Sequence, residues 1–171
     1  MSSGLCVGDA EVACTLSAHD AATRVLGMVG GARFACVWSS PRQRCLAPAR
    51  LLAEKLQLPL RIDERLLEIS LGQWQMRSWA EIESTDGERY RSWLANWLTE
   101  APPGGERPEQ ILRRVQSWWN DLGPGSHLLM AHAGVIRALR VCVTGLSWVQ
   151  AMGLEVRHLD GECFLRAPES G

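Results

Sequence analysis

Two short apolar runs, each followed within a few residues by a segment of helical period, most constrain what this chain can fold into. "FACVWSS" at residues 34–40 leads through "PRQRC" into a helix-like stretch at 43–56, and "HLLMAH" at 127–132 leads through Ala133 and Gly134 into another at 134–143. Apolar runs this short suit strands of a sheet covered on both faces. Two weaker strands are predicted at 58–63 ("LPLRID") and 162–167 ("ECFLRA"), and further helical segments at 17–29, 88–98 and 108–122. Pro108 fits a helix first turn, and "GPGS" after Leu122 fits a helix stop followed by a strand. Strands alternating with helices of this length predict an α/β fold, a three-layer sandwich with a mainly parallel sheet. At 171 residues with no shift in composition, one domain over 1–171 is expected, with "APPGG" at 101–105 as a loop inside it.

A formal net charge of −1 gives no general electrostatic drive toward nucleic acid or an acidic membrane surface. The N-terminal sequence has no basic stretch followed by an apolar one, and nowhere do about 18 apolar residues run together. A soluble, cytoplasmic protein is expected, with no nucleic-acid or membrane partner. The six cysteines are scattered with no C-x-x-C pair, so no metal site or redox motif is indicated and reduced, mostly buried thiols are expected. Of the eight tryptophans, Trp93 and Trp97 are four apart and share a helical face, packing under a loop or helix or lining a ligand pocket. "GMVGGAR" follows a helix rather than a strand, so it is not a dinucleotide-binding loop.

In a parallel sheet, sites form at the carboxyl ends of the strands. The first strong strand ends in a turn carrying Ser39, Ser40, Arg42 and Arg44, and the second ends at His132 before a helix N-terminus around Gly134 whose amides could hold an anion. "RLLEISLGQW" adds Glu68 just before a turn at Gly72. An arginine, a carboxyl and a histidine near one rim are the parts for handling a phosphate.

These segments resemble the histidine phosphatase superfamily, the phosphoglycerate-mutase-like group. "SSPRQRC" resembles its S-S-P-x-x-R-[AC] segment, "LLEISLGQW" its L-x-E-x-x-x-G-x-W, "PPGGERPEQILRRV" its P-G-G-E-S helix start, and "AHAGVIRAL" its H-x-G-V-I-R-A-L. "PPGGE", with "GLCVGD" near the start, leans toward the α-ribazole phosphatase type of cobalamin biosynthesis. The resemblance implies a phosphomonoesterase that works without metal or cofactor on a small phosphorylated substrate. A neutral histidine nitrogen attacks phosphorus, and water then hydrolyses the phosphohistidine. By position, Arg44 falls on the phosphate-binding arginine, with Ala133 and Gly134 at the phosphate-binding helix start. Glu68 falls on the carboxyl that exchanges a proton with the leaving group or water, and His132 on the second active-site histidine. Asp9, Gln75, Met76, Arg107 and Ala133 depart from the pattern, Met76 standing where glycine is usual.

The family's nucleophilic histidine sits in an R-H-G motif on a strand preceding the element that resembles "GLCVGD", and the given chain has no matching position, so the first strand is expected to be missing from it. Three readings stay open: a phosphatase whose given sequence starts too late, an inactive pseudophosphatase that binds a phosphorylated ligand or protein partner, and a non-functional fragment. The other histidines make poor substitutes. His158, in "VRHLDGE", lies in the approach to the last expected strand, His19 near the start of a helix, and His127 at the strand end away from the rim. Arg137 is expected in a structural ion pair. The sequence decides neither the substrate nor the oligomeric state.

Overall fold

The computed structural model describes residues 4–165. Its sheet has three strands, β1 (Cys36–Ser39), β2 (Leu60–Ile62) and β3 (His127–Met130), in the order β2-β1-β3 and parallel throughout. Ser39 pairs with Ile62 on one side and Met130 on the other, so the three carboxyl ends are level. Six helices accompany them: α1 (Ala18–Val29), α2 (Gln43–Leu56), α3 (Trp79–Asn96), α4 (Pro108–Asn120), α5 (Ala133–Thr144) and α6 (Trp148–Gly153).

The two-residue alternation of a strand assigns the layers. Cys36 and Trp38 of β1 face a core made with Ile111, Val115 and Trp118 of α4 and Val135, Ala138 and Leu139 of α5. Val37, between them, faces the opposite core of Ala22 and Val25 from α1 and Ala49, Leu52 and Ala53 from α2. β3 follows the same rule, Leu129 packing with the first cluster and Leu128 and Met130 with the second. The result is the expected three-layer sandwich, α1 and α2 on one face of the sheet and α4 and α5 on the other.

Three expectations are corrected. Over residues 162–165 no strand forms, and 166–167 lie outside the described residues. β3 takes β1 as its only partner among the described strands. The 162–165 stretch is held by side chains instead: Glu162 pairs with Arg140 at 2.8 Å and Phe164 packs against the α4–α5 core, while Leu165 is 79 % exposed. The helix expected at 88–98 begins much earlier, at Trp79, where the Ser78 hydroxyl caps it by accepting from the Glu81 amide. Asp86 interrupts it with φ −138 and ψ 33, shifting the phase of the apolar pattern there. The short α6 also forms, with the Ser147 hydroxyl accepting from the Gln150 amide.

All six cysteines are free. Cys6, Cys36 and Cys45 are buried, and Cys14 and Cys163 are exposed. Trp93 does pack as expected, in a cluster with Trp74, Trp79 and Tyr90. Its ring lies nearly parallel to that of Trp79 at 6.1 Å between centroids and edge-on to Trp74 at 5.5 Å. α1 ends at Gly30 in the left-handed region, so the glycines of "GMVGGAR" terminate a helix.

Candidate active site

The level carboxyl ends of the three strands deliver three side chains to one place. β1 runs through Ser39 and Ser40 into α2, whose first turn carries Arg44. β3 runs through Ala131 to His132, the N-cap of α5. β2 runs through Asp63 and the 3-10 turn Glu64–Leu66 toward Glu68.

His132 is buried, 8 % exposed as a residue. Arg44 Nε donates to its Nδ1 at 3.3 Å. Guanidinium has no lone pair to offer, so Nδ1 must be the unprotonated nitrogen and the proton sits on Nε2. From there it is donated to the Ser40 hydroxyl at 2.8 Å, and Cys45 Sγ lies 3.7 Å from both ring nitrogens. Burial, reinforced by the charges of Arg44, Arg114 and Arg42, pushes the imidazole down to about 3, so it stays neutral at physiological pH.

Arg44 is held by backbone on its far side. Its Nη1 donates to the Ala10 carbonyl at 2.5 Å and its Nη2 to the Gly8 carbonyl at 3.0 Å. With the bond to His132, three of its five N–H groups are engaged and two remain. The 8–11 segment that supplies these carbonyls also places Asp9 on Arg42 at 3.2 Å, and Glu11 takes the Gln43 amide at the N-terminus of α2. It is anchored by a short antiparallel contact, Leu5 with Ser78, and by the Cys6 amide on the Arg77 carbonyl.

Glu68 docks on the start of α5. Its Oε1 accepts from the Ile69 amide at 2.9 Å and the Gly134 amide at 3.0 Å, and Oε2 lies 3.2 Å from the latter. At the helix N-terminus expected to receive an anion, the Gly134 amide is taken by this carboxyl, one residue after Ala133, which opens α5. Burial raises the Glu68 carboxyl above the ordinary glutamate range, opposed by the Ile69 and Gly134 amides and by the nearby charges of Arg44 and Arg137. The approach is so close that a Cβ on Gly134 would lie 2.1 Å from Glu68 Oε1. A pocket of about 390 Å³ opens beside Glu68, lined also by Asp9, Ser70 and Glu106, while Arg44 and His132 lie outside its lining.

Two residues of this neighbourhood escape the sequence reading. Arg114 of α4 spends all five of its N–H groups on the Glu68 segment and its support. It donates to the carbonyls of Arg65, Leu67 and Glu68 at 2.7, 2.7 and 3.0 Å, and to both carboxylate oxygens of Glu106 at 2.9 Å. Glu106 also accepts from the Ser70 amide at 2.9 Å. Their sequence signals are the motif-like "PPGGE" segment, which ends at Glu106, and an arginine two turns into the helix after it, a spacing that ordinarily marks a solvated face. Behind this loop, Gly72 at φ +55 would put a Cβ 2.2 Å from the Pro103 carbonyl, so it is the close approach of "PPGG" that requires glycine.

Among the described residues Arg137 forms no ion pair of the kind expected. Its Nε is buried without a hydrogen-bond partner among the described residues, and its charge acts on Glu68. His127, at the start of β3, accepts from Trp38 Nε1 at 3.4 Å and donates to the Gly123 carbonyl at 3.0 Å. His19 and His158 are exposed, and the ring partners of His132 are Arg44, Ser40 and Cys45, not another histidine. Among the described residues no group of three or more histidine, cysteine or acidic side chains could hold a metal ion, and no helix is long and apolar enough to cross a membrane.

The chain is similar to known phosphatases along most of its length. It is 29% identical over 147 residues to the adenosylcobalamin/α-ribazole phosphatase of Escherichia coli K12, covering 84% of this chain and 72% of the relative. The structure of the α-ribazole phosphatase from Shigella flexneri superposes with a TM-score of 0.78 at 25% identity, over 91% of this chain and 79% of that one. A mycobacterial glucosyl-3-phosphoglycerate phosphatase superposes with a TM-score of 0.73 at 26% identity, over 88% and 76%. The sequence profile of the histidine phosphatase superfamily (branch 1) matches residues 3–160. That match spans most of the chain, and the superposition agrees with it: the chain belongs to the histidine phosphatase superfamily, branch 1.

Proposed function

We propose that Arg44, Glu68 and His132 form the phosphate-handling part of a phosphomonoesterase site for a small phosphorylated substrate of the α-ribazole phosphate type, in a single domain. The observation that carries this reading is the convergence of the three: Arg44 bonded to His132 at 3.3 Å, and Glu68 on the Gly134 amide two residues past His132. Each then has a role that its surroundings favour. The two uncommitted N–H groups of Arg44 bind non-bridging phosphate oxygens, with Gly8 and Ala10 keeping the fork aimed. The neutral His132 donates through Nε2, at the expense of its bond to Ser40, to an oxygen of the transferring phosphoryl. Glu68, its carboxyl raised by burial, delivers a proton to the leaving oxygen and takes one from the attacking water. In the superfamily pattern the intervening step is attack on phosphorus by a second imidazole, breaking the bond to the leaving oxygen, with water later cleaving the phosphohistidine to free phosphate. No residue of the given sequence is assigned as that nucleophile. Electrostatic positioning of the phosphoryl group supplies much of the rate in such transfers, so the three residues are useful whichever group attacks.

A second reading, binding of a phosphorylated ligand or protein partner without turnover, draws on the absence of a histidine among the ring partners of His132. One assay separates the two. Hydrolysis of para-nitrophenyl phosphate and α-ribazole 5′-phosphate by the purified 171-residue chain, lost in Glu68→Gln and His132→Ala, supports the phosphomonoesterase. Ester binding without phosphate release, still dependent on Arg44, supports the binding protein.

A further inference from the structure

We propose that Arg114 is a positioning residue for Glu68, holding the backbone of the Glu68 segment so that the carboxyl is presented at the Gly134 amide and at the mouth of the adjacent pocket. The proposal rests on the reading of Glu68 as the proton-exchanging group. The 64–71 segment contains one 3-10 turn and no strand, so most of its carbonyls have no partner in regular structure. Three of them, on Arg65, Leu67 and Glu68, converge on one guanidinium.

Only a planar fork with donors pointing in several directions can satisfy three carbonyls and a bidentate carboxylate together. A lysine ammonium has three donors and no fixed geometry. Glu106 completes the device: it neutralises Arg114 through both oxygens and reaches on to the Ser70 amide, so the backbone is tied on both sides of Glu68. Arg114 is only partly exposed, its side chain at 19 % and that of Glu106 at 21 %, which shields the pair from competing water. The helix that carries Arg114 packs directly on α5, which carries His132 and Gly134, so one rigid layer sets both halves of the site.

The charged and titratable groups around Glu68 are Arg44 and Cys45 from α2, Arg137 from α5 and His132 at its N-cap, Arg114 from α4 with Glu106 just before that helix, Glu64 and Arg65 from the 3-10 turn, and Asp9 from the N-terminal segment. Removing Arg114 alone would strand the Glu106 carboxylate and perturb Glu68 electrostatically. The charge-balanced double variant Arg114→Met/Glu106→Gln avoids this.

The Gly134 amide is a built-in reporter, because it donates to both oxygens of Glu68. In the wild-type chain its 15N and 1H shifts should follow Glu68 in a pH titration by NMR, and Glu68→Gln should abolish that titration. In the double variant the amplitude should fall by at least half, since the carboxyl no longer rests on the amide. Arg114→Lys, which keeps the charge but not the fork, should give an intermediate amplitude and decides the matter if the double variant does not fold. A folded double variant, or Arg114→Lys, with undiminished amplitude overturns the proposal, as does a Gly134 titration that survives Glu68→Gln. Failure of the phosphatase reading would appear separately, as absent ester hydrolysis and binding in a chain whose Gly134 titration still responds to Arg114.

Discussion

Gly134→Ala is the substitution for which the fold and the site make opposite forecasts. Within a helix, alanine in place of glycine ordinarily stabilises by about 1 kcal/mol, because the unfolded glycine has more freedom to lose. At position 134 the added Cβ would meet Glu68 Oε1 at 2.1 Å and Ile111 Cδ1 at 3.1 Å. The Ile111 side chain can shift by a few tenths of an ångström, but the carboxyl must leave. Its departure breaks the bond from the Gly134 amide, a hydrogen bond to a charged group of about 1.5–3 kcal/mol, and leaves that amide in search of water. Set against the helix gain of about 1 kcal/mol, the net is a destabilisation of about 0.5–2 kcal/mol. Urea denaturation read by tryptophan fluorescence measures it. Because the displaced carboxyl also loses its place on the α5 start, two residues past His132, any ester hydrolysis should fall at least tenfold. A Gly134→Ala chain that is more stable than wild type by about 1 kcal/mol, with site behaviour intact, would refute the claim that Glu68 rests on this helix start.

The His132 imidazole provides a pH test. Its folded value of about 3 lies below the ordinary value of 6.5, so the folded chain binds fewer protons than the unfolded chain between these limits. Its effect on stability is therefore nil above pH 6.5 and a loss as pH falls, at up to about 1.4 kcal/mol per pH unit. Glu68, raised in the folded state, acts in the opposite sense: the stability it contributes is present in acid and is lost as pH rises through its folded value. His132→Gln should flatten the decline between pH 6 and 4 in thermal melts, and an unchanged slope would contradict the burial of a neutral ring. Met76 stands at φ 63, in the left-handed region that favours glycine, with its side chain 49% exposed. Met76→Gly should therefore raise stability by about 0.5–1 kcal/mol in the same urea assay, and a loss of stability would show that the methionine side chain matters more than its backbone.

The units that the sequence announces most clearly are those whose period is unbroken. Residues 43–56 and 127–132 are legible because a strand buried on both faces must be apolar and the helix after it must show one stripe. α3 was legible only in its second half, since Asp86 breaks the helical phase and hides the capped start at Ser78. The strand expected at 162–167 had apolar residues of the right kind, yet a strand also needs a neighbour to pair with, which a local pattern does not report. In the site, the convergence of Arg44, Glu68 and His132 follows from strand ends and motif spacing. Glu106 stands in the motif-like "PPGGE" segment, but the work of the Arg114–Glu106 pair is not legible: the two side chains act on main-chain carbonyls and amides, and no residue pattern reports which backbone groups a side chain will meet. The occupation of the α5 N-terminus by Glu68, rather than by an empty anion site, is likewise a matter of one close approach at Gly134.

Whether Arg44 and His132 act together as a phosphate-binding pair is decided by calorimetric titration of the 171-residue chain with orthovanadate. Saturable binding at one site is expected, weakened at least tenfold in Arg44→Met and in His132→Ala, with both variants retaining a cooperative thermal transition. Vanadate binding of equal strength in the wild type and in both folded variants, or none in a folded wild-type chain, would contradict it.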